Sequence, residues 1–226
     1  MLALDTALQR CSVAIADGDN VLAWRALDME RGHAEHLAPM TAAALDEAGL
    51  RVGDLARIGV VAGPGGFTGV RLAVSFARGL AIGHSIDVVG VTSLTAVAQN
   101  ALQADQDALI AAVIDARRNQ VYASLVHGRR VLVPPFVDNP AAAIARLEAA
   151  AGDSKAISVI GSGAEFITSL RPRWVRSTAG DQIDARCVAQ LAAMAPVPTE
   201  PVAPIYLRAP DAKPPTGPNL IQSSSS

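Results

Sequence analysis

A chain of 226 residues, 50% of them hydrophobic and 18% charged, has room for one large domain or two small ones and can bury a full core. A formal net charge of −2 excludes the overall basic field on which nucleic-acid binding ordinarily rests, so any contact with RNA is local or indirect. Lysine occurs only at positions 155 and 213 and the arginines are scattered, which excludes a polybasic tail.

In chain order, Leu2 to Gly18 reads as strand, polar turn, strand, with Val13 and Ile15 alternating with their neighbours. Asp5 interrupts the apolar start before a signal-peptide core can build. No later apolar run approaches the about 18 residues of a membrane span, so a soluble cytoplasmic protein is expected. A third strand is predicted over 19–27, then a helix over 33–48 that ends at Gly49. A strand over 57–62 is broken by the glycine cluster Gly63 to Gly66. Thr68 is expected to cap a helix running to Ile82, followed by a strand over 88–91 and a helix over 93–102.

The second half repeats this plan: a hairpin over 112–126, a strand over 130–133, a helix over 141–151, a strand over 157–160, and helices over 165–170 and 184–195. Leu2–Gly18 overlays Ala112–Gly128 without a gap, which places Asp5 on Asp115 and Gly18 on Gly128. The expected fold is therefore α/β with two similar subdomains, each a mixed five-stranded sheet with flanking helices. A three-strand meander leading into helix–strand alternation, given twice, is the actin-like (ribonuclease H-like) plan shared by actin, Hsp70 and sugar kinases. The boundary is expected in the polar stretch 103–107, giving subdomains 1–104 and 105–212 and a disordered polar tail over 213–226. Pro196 to Pro204 is too rich in proline for a helix or a central strand. Cys11 and Cys187 form neither a close-spaced metal pair nor a disulfide framework and are expected as free thiols.

Three segments, LALDTALQRCSVAI from Leu2, AGPGGFTGVRLAVSFARGLA from Ala62 and DARRNQVYA from Asp115, together resemble the TsaB (YeaZ) family. RGHAEHLAPM from Arg31 and PIYLR from Pro204 extend the likeness to nearly the whole chain, while Gly66 stands where that family usually has serine. The resemblance implies a non-catalytic subunit in the biosynthesis of threonylcarbamoyladenosine on tRNA. Its implied partners are a TsaD-like catalytic subunit, a TsaE-like ATPase and a second copy of itself when alone, with tRNA contacted indirectly. It implies no tightly bound cofactor, and ATP or ADP only at an interface within the complex.

The residues themselves leave an ATPase or phosphotransferase reading open. Actin-fold ATPases place acidic groups on the first turn of each half, where Asp5 and Asp115 stand, but the turns after both lack the glycines of a phosphate cradle. Gly65 and Gly66 could admit a phosphate at the start of the next helix. Without a Walker lysine or a G-x-G-x-x-G spacing they read more simply as a tight turn. Gly161 and Gly163 stand where actin-fold relatives contact adenosine, and the same two readings apply. His33 and His36 share a helix face but have no third ligand nearby, and Ser12, His33 and Asp5 lack a nucleophile-elbow context.

Two helices invite a partner. From His36 to Leu45 no residue is charged, and Ala38, Thr41 and Ala42 are small enough for another helix to approach closely. In the following helix only Arg71, Ser75 and Arg78 make a polar stripe, leaving an apolar surface wider than one sheet face is expected to cover. With the family resemblance, the expected partner interface comprises Ala38, Thr41, Ala42, Leu45, Val70, Ala73, Val74 and Ala77.

Overall fold

The computed structural model describes residues 1–152 and 156–208. The tail expected over 213–226 lies outside the described residues.

Each half begins with a meander. Strands β1 (Leu2–Asp5), β2 (Arg10–Asp17) and β3 (Asn20–Asp28) pair antiparallel, as do β6 (Leu109–Asp115), β7 (Val121–His127) and β8 (Arg130–Asp138). The second turn of each meander is tight. Asp17 pairs with Asn20 and His127 with Arg130, and Gly18 and Gly128 adopt φ of 58° and 53°, which glycine accepts without strain. The first turns differ: Asp5 pairs with Ser12 but Asp115 with Val121, so the first turn carries one more residue than the second.

After the meander come helix α1 (His33–Ala48), β4 (Arg57–Gly63), α2 (Phe67–Ile82), β5 (Asp87–Thr92) and α3 (Ser93–Leu102). In the second half come α4 (Pro140–Ala151), β9 (Ser158–Ile160), α5 (Ala164–Thr168), β10 (Val175–Arg176) and α6 (Ala185–Met194). The resulting sheets, β3-β2-β1-β4-β5 and β8-β7-β6-β9-β10, have the same order, with the last strands of each joined in parallel. Strand β8 runs through Pro134 and Pro135, tolerable because it is an edge strand and because its pairing with β7 is irregular opposite these two residues. Gly66 rather than Thr68 stands at the start of α2 and no side chain caps it. Thr92 caps α3, its hydroxyl accepting from the Thr95 N–H at 3.1 Å.

Three cores stack between five layers. Leu37, Leu45, Val74 and Ala77 of α1 and α2 pack with Leu4, Val13 and Val60 on the outer face of the first sheet. Leu147, Ile144 and Ile167 of α4 and α5 cover the outer face of the second sheet. Between the sheets lie α3 and α6, with Leu94, Val97, Val188 and Ala192 packed among Ala3, Val61, Ile110 and Ile114. Small side chains allow this closeness: a Cβ at Gly59 would lie 2.6 Å from the Cβ of Ala192.

The two middle helices change sides. Helix α3, from the first half, packs on β6 and β7, whereas α6, from the second, packs on β1, β2 and β4. Arg57 fixes the exchange by donating to the carbonyls of Ala192 at 2.8 Å and Ala195 at 3.0 Å, at the end of α6 where helix carbonyls lack partners. The proline-dense stretch follows α6 onto the first sheet, where Val202 packs near Gly90 and the Ile205 N–H donates to Ala62 O at 2.7 Å. The chain crosses to the second sheet between α3 and β6, and residues 185–208 return to the first.

Candidate functional site

A cleft of about 630 Å³ opens between the halves, where the turns after β1, β4, β6 and β9 converge. In open α/β sheets ligands gather at such strand ends. Arg31, Arg117 and Arg208 line it together with Glu30, Asp115 and Asp181, so neither sign of charge dominates.

The two repeat aspartates have different environments. Asp5 is fully buried and does not line the cleft. Its Oδ1 accepts from the Ala7 N–H at 2.9 Å, while its Oδ2 has no partner among the described residues. Burial pushes this carboxyl up to about 7, partly opposed by the Ala7 hydrogen bond and by the positive charge of Arg10. Asp115 does line the cleft. Its Oδ1 accepts from the Arg117 N–H at 2.7 Å and its Oδ2 lies 3.5 Å from the Arg117 guanidinium.

Of the four glycines singled out from the sequence, Gly65 and Gly66 reach the cleft and Gly161 and Gly163 do not. Each is explained by a close approach of backbone or by an internal bond. A Cβ at Gly65 would lie 2.5 Å from Ala7 O, and one at Gly161 2.3 Å from Val113 O. The Gly66 N–H donates to Ala7 O at 2.8 Å and the Gly163 N–H to Val113 O at 3.0 Å. Gly69 lies closest of all: its Cβ would sit 1.9 Å from Thr6 O, and its own carbonyl accepts from the Thr6 hydroxyl at 2.7 Å. These loops therefore hold the start of α2 and the turn into α5 against the first strands of each half.

Asp181 carries no local signal in the sequence. Its Oδ1 accepts from the Gly161 N–H at 2.9 Å and its Oδ2 pairs with Arg176 at 2.8 Å. The amides of Ala7, Arg117 and Gly161 are thus held by the chain's own carboxylates, and those of Gly66 and Gly163 by carbonyls. An incoming phosphate would have to displace a carboxylate or a carbonyl to reach them.

His33 Nε2 lies 3.1 Å from Leu8 O, which joins α1 to the β1–β2 turn, and His36 is exposed on α1. Among the described residues no group of three His, Cys, Asp or Glu side chains could hold a metal ion. Ser12 Oγ is buried with no partner among the described residues, so Ser12 and His33 make no nucleophile–base pair.

Helices α1 and α2 lie side by side on the outer face of the first sheet. The face expected to receive a partner is instead mostly internal. Thr41, Leu45, Val70, Ala73, Val74 and Ala77 are buried within the subunit's own core, and of the eight expected residues Ala38 and Ala42 point outward. The wide apolar circumference of α2 is used on two sides, because α1 covers part of what the sheet does not. Ser75 is exposed, Leu72, Phe76 and Leu80 are half-buried, and Ile82 is 86% exposed. A cluster of Phe67, Arg71 and Tyr206 ends this outer surface. Tyr206 enters from the far end of the chain, so no local pattern could have placed it there.

Among the described residues no helix is long and apolar enough to cross a membrane. The family model described as TsaD, tRNA N6-adenosine threonylcarbamoyltransferase, matches residues 27–196. The tRNA threonylcarbamoyladenosine biosynthesis protein TsaB of Haemophilus influenzae is 37% identical over 131 residues, covering 58% of this chain and 55% of that protein. The chain thus spans about half the length of the curated relatives it matches. The solved structure of YeaZ from Pseudomonas aeruginosa superposes with a TM-score of 0.76 at 30% identity, over 91% of this chain and 98% of that one. Component A of (R)-2-hydroxyglutaryl-CoA dehydratase from Acidaminococcus fermentans is 12% identical with a TM-score of 0.50, covering 85% of this chain and 96% of that one, and shares the fold alone.

Proposed function

The chain belongs to the TsaB (YeaZ) family, and we propose that it is a non-catalytic subunit that activates a TsaD-like enzyme transferring threonylcarbamoyl to the adenosine beside the tRNA anticodon. The observation that carries the non-catalytic half of this reading is the state of the cleft. The amides of Ala7, Arg117 and Gly161 already donate to the chain's own carboxylates, and Asp5, one of the two acidic groups an ATPase would need, is sealed beneath the surface. Phosphoryl transfer through Asp5 and Asp115 finds correspondingly little support.

The enzyme lies in the partner, and this subunit presents α1 and α2 to it through Ala38, Ala42 and the outer edge of α2. The same surface serves a second copy of the chain when the partner is absent. A TsaE-like ATPase acts on the assembled pair, ATP or ADP lodges at a junction within the complex, and tRNA is engaged through the partner. The setting is the cytoplasm.

Two measurements test this. The purified chain with Mg²⁺ and ATP should show no turnover, and tagged chain should capture the TsaD-like subunit of the same organism. ATP hydrolysis that disappears in Asp115→Asn, or failure to capture that subunit, contradicts the proposal.

A further inference from the structure

At the start of α2, three side chains from distant parts of the chain form one exposed cluster. The guanidinium carbon of Arg71 lies 3.6 Å from the centre of the Phe67 ring and 5.5 Å from that of Tyr206, and the two rings are 5.6 Å apart. The Arg71 Nε donates to the Tyr206 hydroxyl at 2.5 Å. Arg71 is therefore held by two rings and a hydrogen bond before any partner arrives. Tyr206 is held in turn by its neighbours in the chain: the Ile205 N–H donates to Ala62 O at 2.7 Å, and Arg208 bonds Gln120 across the cleft.

The cluster nonetheless faces solvent. Phe67 is 55% and Tyr206 49% exposed. Among the described residues no acceptor meets either Nη atom of Arg71. A planar guanidinium with outward donors matches a carboxylate, and holding it in advance removes the side-chain entropy that binding would otherwise cost. Aromatic rings and arginine together are the residues that dominate the energy of protein interfaces. Helix α2 carries Arg71 and Arg78 and no acidic residue, so the α2 side of the surface complements negative charge, while α1 beside it exposes Glu35, Asp46 and Glu47. Leu72 and Phe76, both half-buried, continue the outer surface along the helix.

We propose that Phe67, Arg71 and Tyr206 anchor the partner-docking surface, with Arg71 receiving a carboxylate that the TsaD-like subunit presents among apolar side chains. This rests on the docking role assigned above and adds the C-terminal segment to that surface. A protein carboxylate fits better than an RNA phosphate. Binding to a phosphate backbone draws on many cations at once, whereas this chain has a net charge of −2 and the neighbouring cleft sets Glu30, Asp115 and Asp181 against Arg31, Arg117 and Arg208.

The test is the affinity of the purified chain for the purified TsaD-like subunit of the same organism, with folding of each variant checked by circular dichroism. Arg71→Glu should weaken binding at least 100-fold and Phe67→Ala at least tenfold. Arg71→Lys, which keeps the charge but not the planar fork, should weaken it about tenfold, and Tyr206→Phe a few-fold. Ala42→Glu serves as the reference for docking on the helix pair. If Ala42→Glu weakens binding while Arg71→Glu and Phe67→Ala leave it unchanged, the anchor is refuted and the docking role stands. If the unaltered chain does not bind the subunit, both fall. A parallel titration with an anticodon stem-loop RNA covers the remaining case: loss of RNA binding in Arg71→Glu with unchanged affinity for the subunit assigns the cluster to RNA and overturns the proposal.

Discussion

Asp5→Asn should change stability with a sign that depends on pH. The Asp5 carboxyl is fully buried and its pKa stands at about 7, against 3.8 when unperturbed. Between those values the folded chain holds a proton that the unfolded chain has released, so stability falls as pH rises through this window and is level above it. A rise of about three units at about 1.4 kcal/mol each sets an upper limit of about 4 kcal/mol for this loss. Asparagine is neutral throughout and shows no such loss. Its amide would stand where Asp5 Oδ2 now has no partner, at a cost of about 1–3 kcal/mol that does not vary with pH. Urea unfolding of both proteins from pH 4.5 to 8.5 isolates the effect, because other titrating groups cancel in the difference. The variant should be the less stable protein near pH 4.5 and should gain steadily on the native chain up to about pH 7, equalling or passing it by pH 8. A difference in unfolding free energy that stays constant across that range would refute a buried, largely protonated Asp5.

Gly69→Ala, whose Cβ would meet Thr6 O, should cost about 2–3 kcal/mol in chemical unfolding. Gly79→Ala, in the same helix but in open space, should instead stabilise by up to about 1 kcal/mol. Arg57→Met leaves the carbonyls at the end of α6 without their donor and should cost about 1–3 kcal/mol, seen as a lower Tm and as faster hydrogen exchange in residues 185–194. Val74→Glu places an unpaired charge in the core and should unfold the chain, whereas Ala42→Glu should remain folded and lose only its partner.

The elements were legible wherever local chemistry decides them. Period-2 alternation and the paired glycines at 18 and 128 located both meanders, and Gly49 marked the end of α1. Burial across layers was not legible. An apolar stripe on α2 shows that something covers Val70, Ala73, Val74 and Ala77 but not whether that is a partner or the chain's own core; here Ala73, Val74 and Ala77 meet the outer face of the first sheet with α1 beside them, and Val70 joins the core between the sheets. The exchange of α3 and α6 between sheets was hidden for the same reason. The candidate site was legible in part. The repeat placed Asp5 and Asp115 at equivalent strand ends, but one is sealed and the other faces the cleft, a difference set by surroundings that the overlay does not contain. The places of Asp181 beside Gly161 and of Tyr206 beside Arg71 were not legible, because these partners lie 20 and 135 residues away in the chain.

Reconstitution tests the central claim most directly. A TsaD-like subunit, a TsaE-like ATPase, tRNA and threonylcarbamoyl-adenylate are combined with the chain, without it, and with Ala42→Glu in its place, and modified adenosine is measured. Modification should require the chain, fail with Ala42→Glu, and never arise from the chain and substrates alone. Modification that proceeds equally well without the chain, or that the chain carries out by itself, would contradict the account.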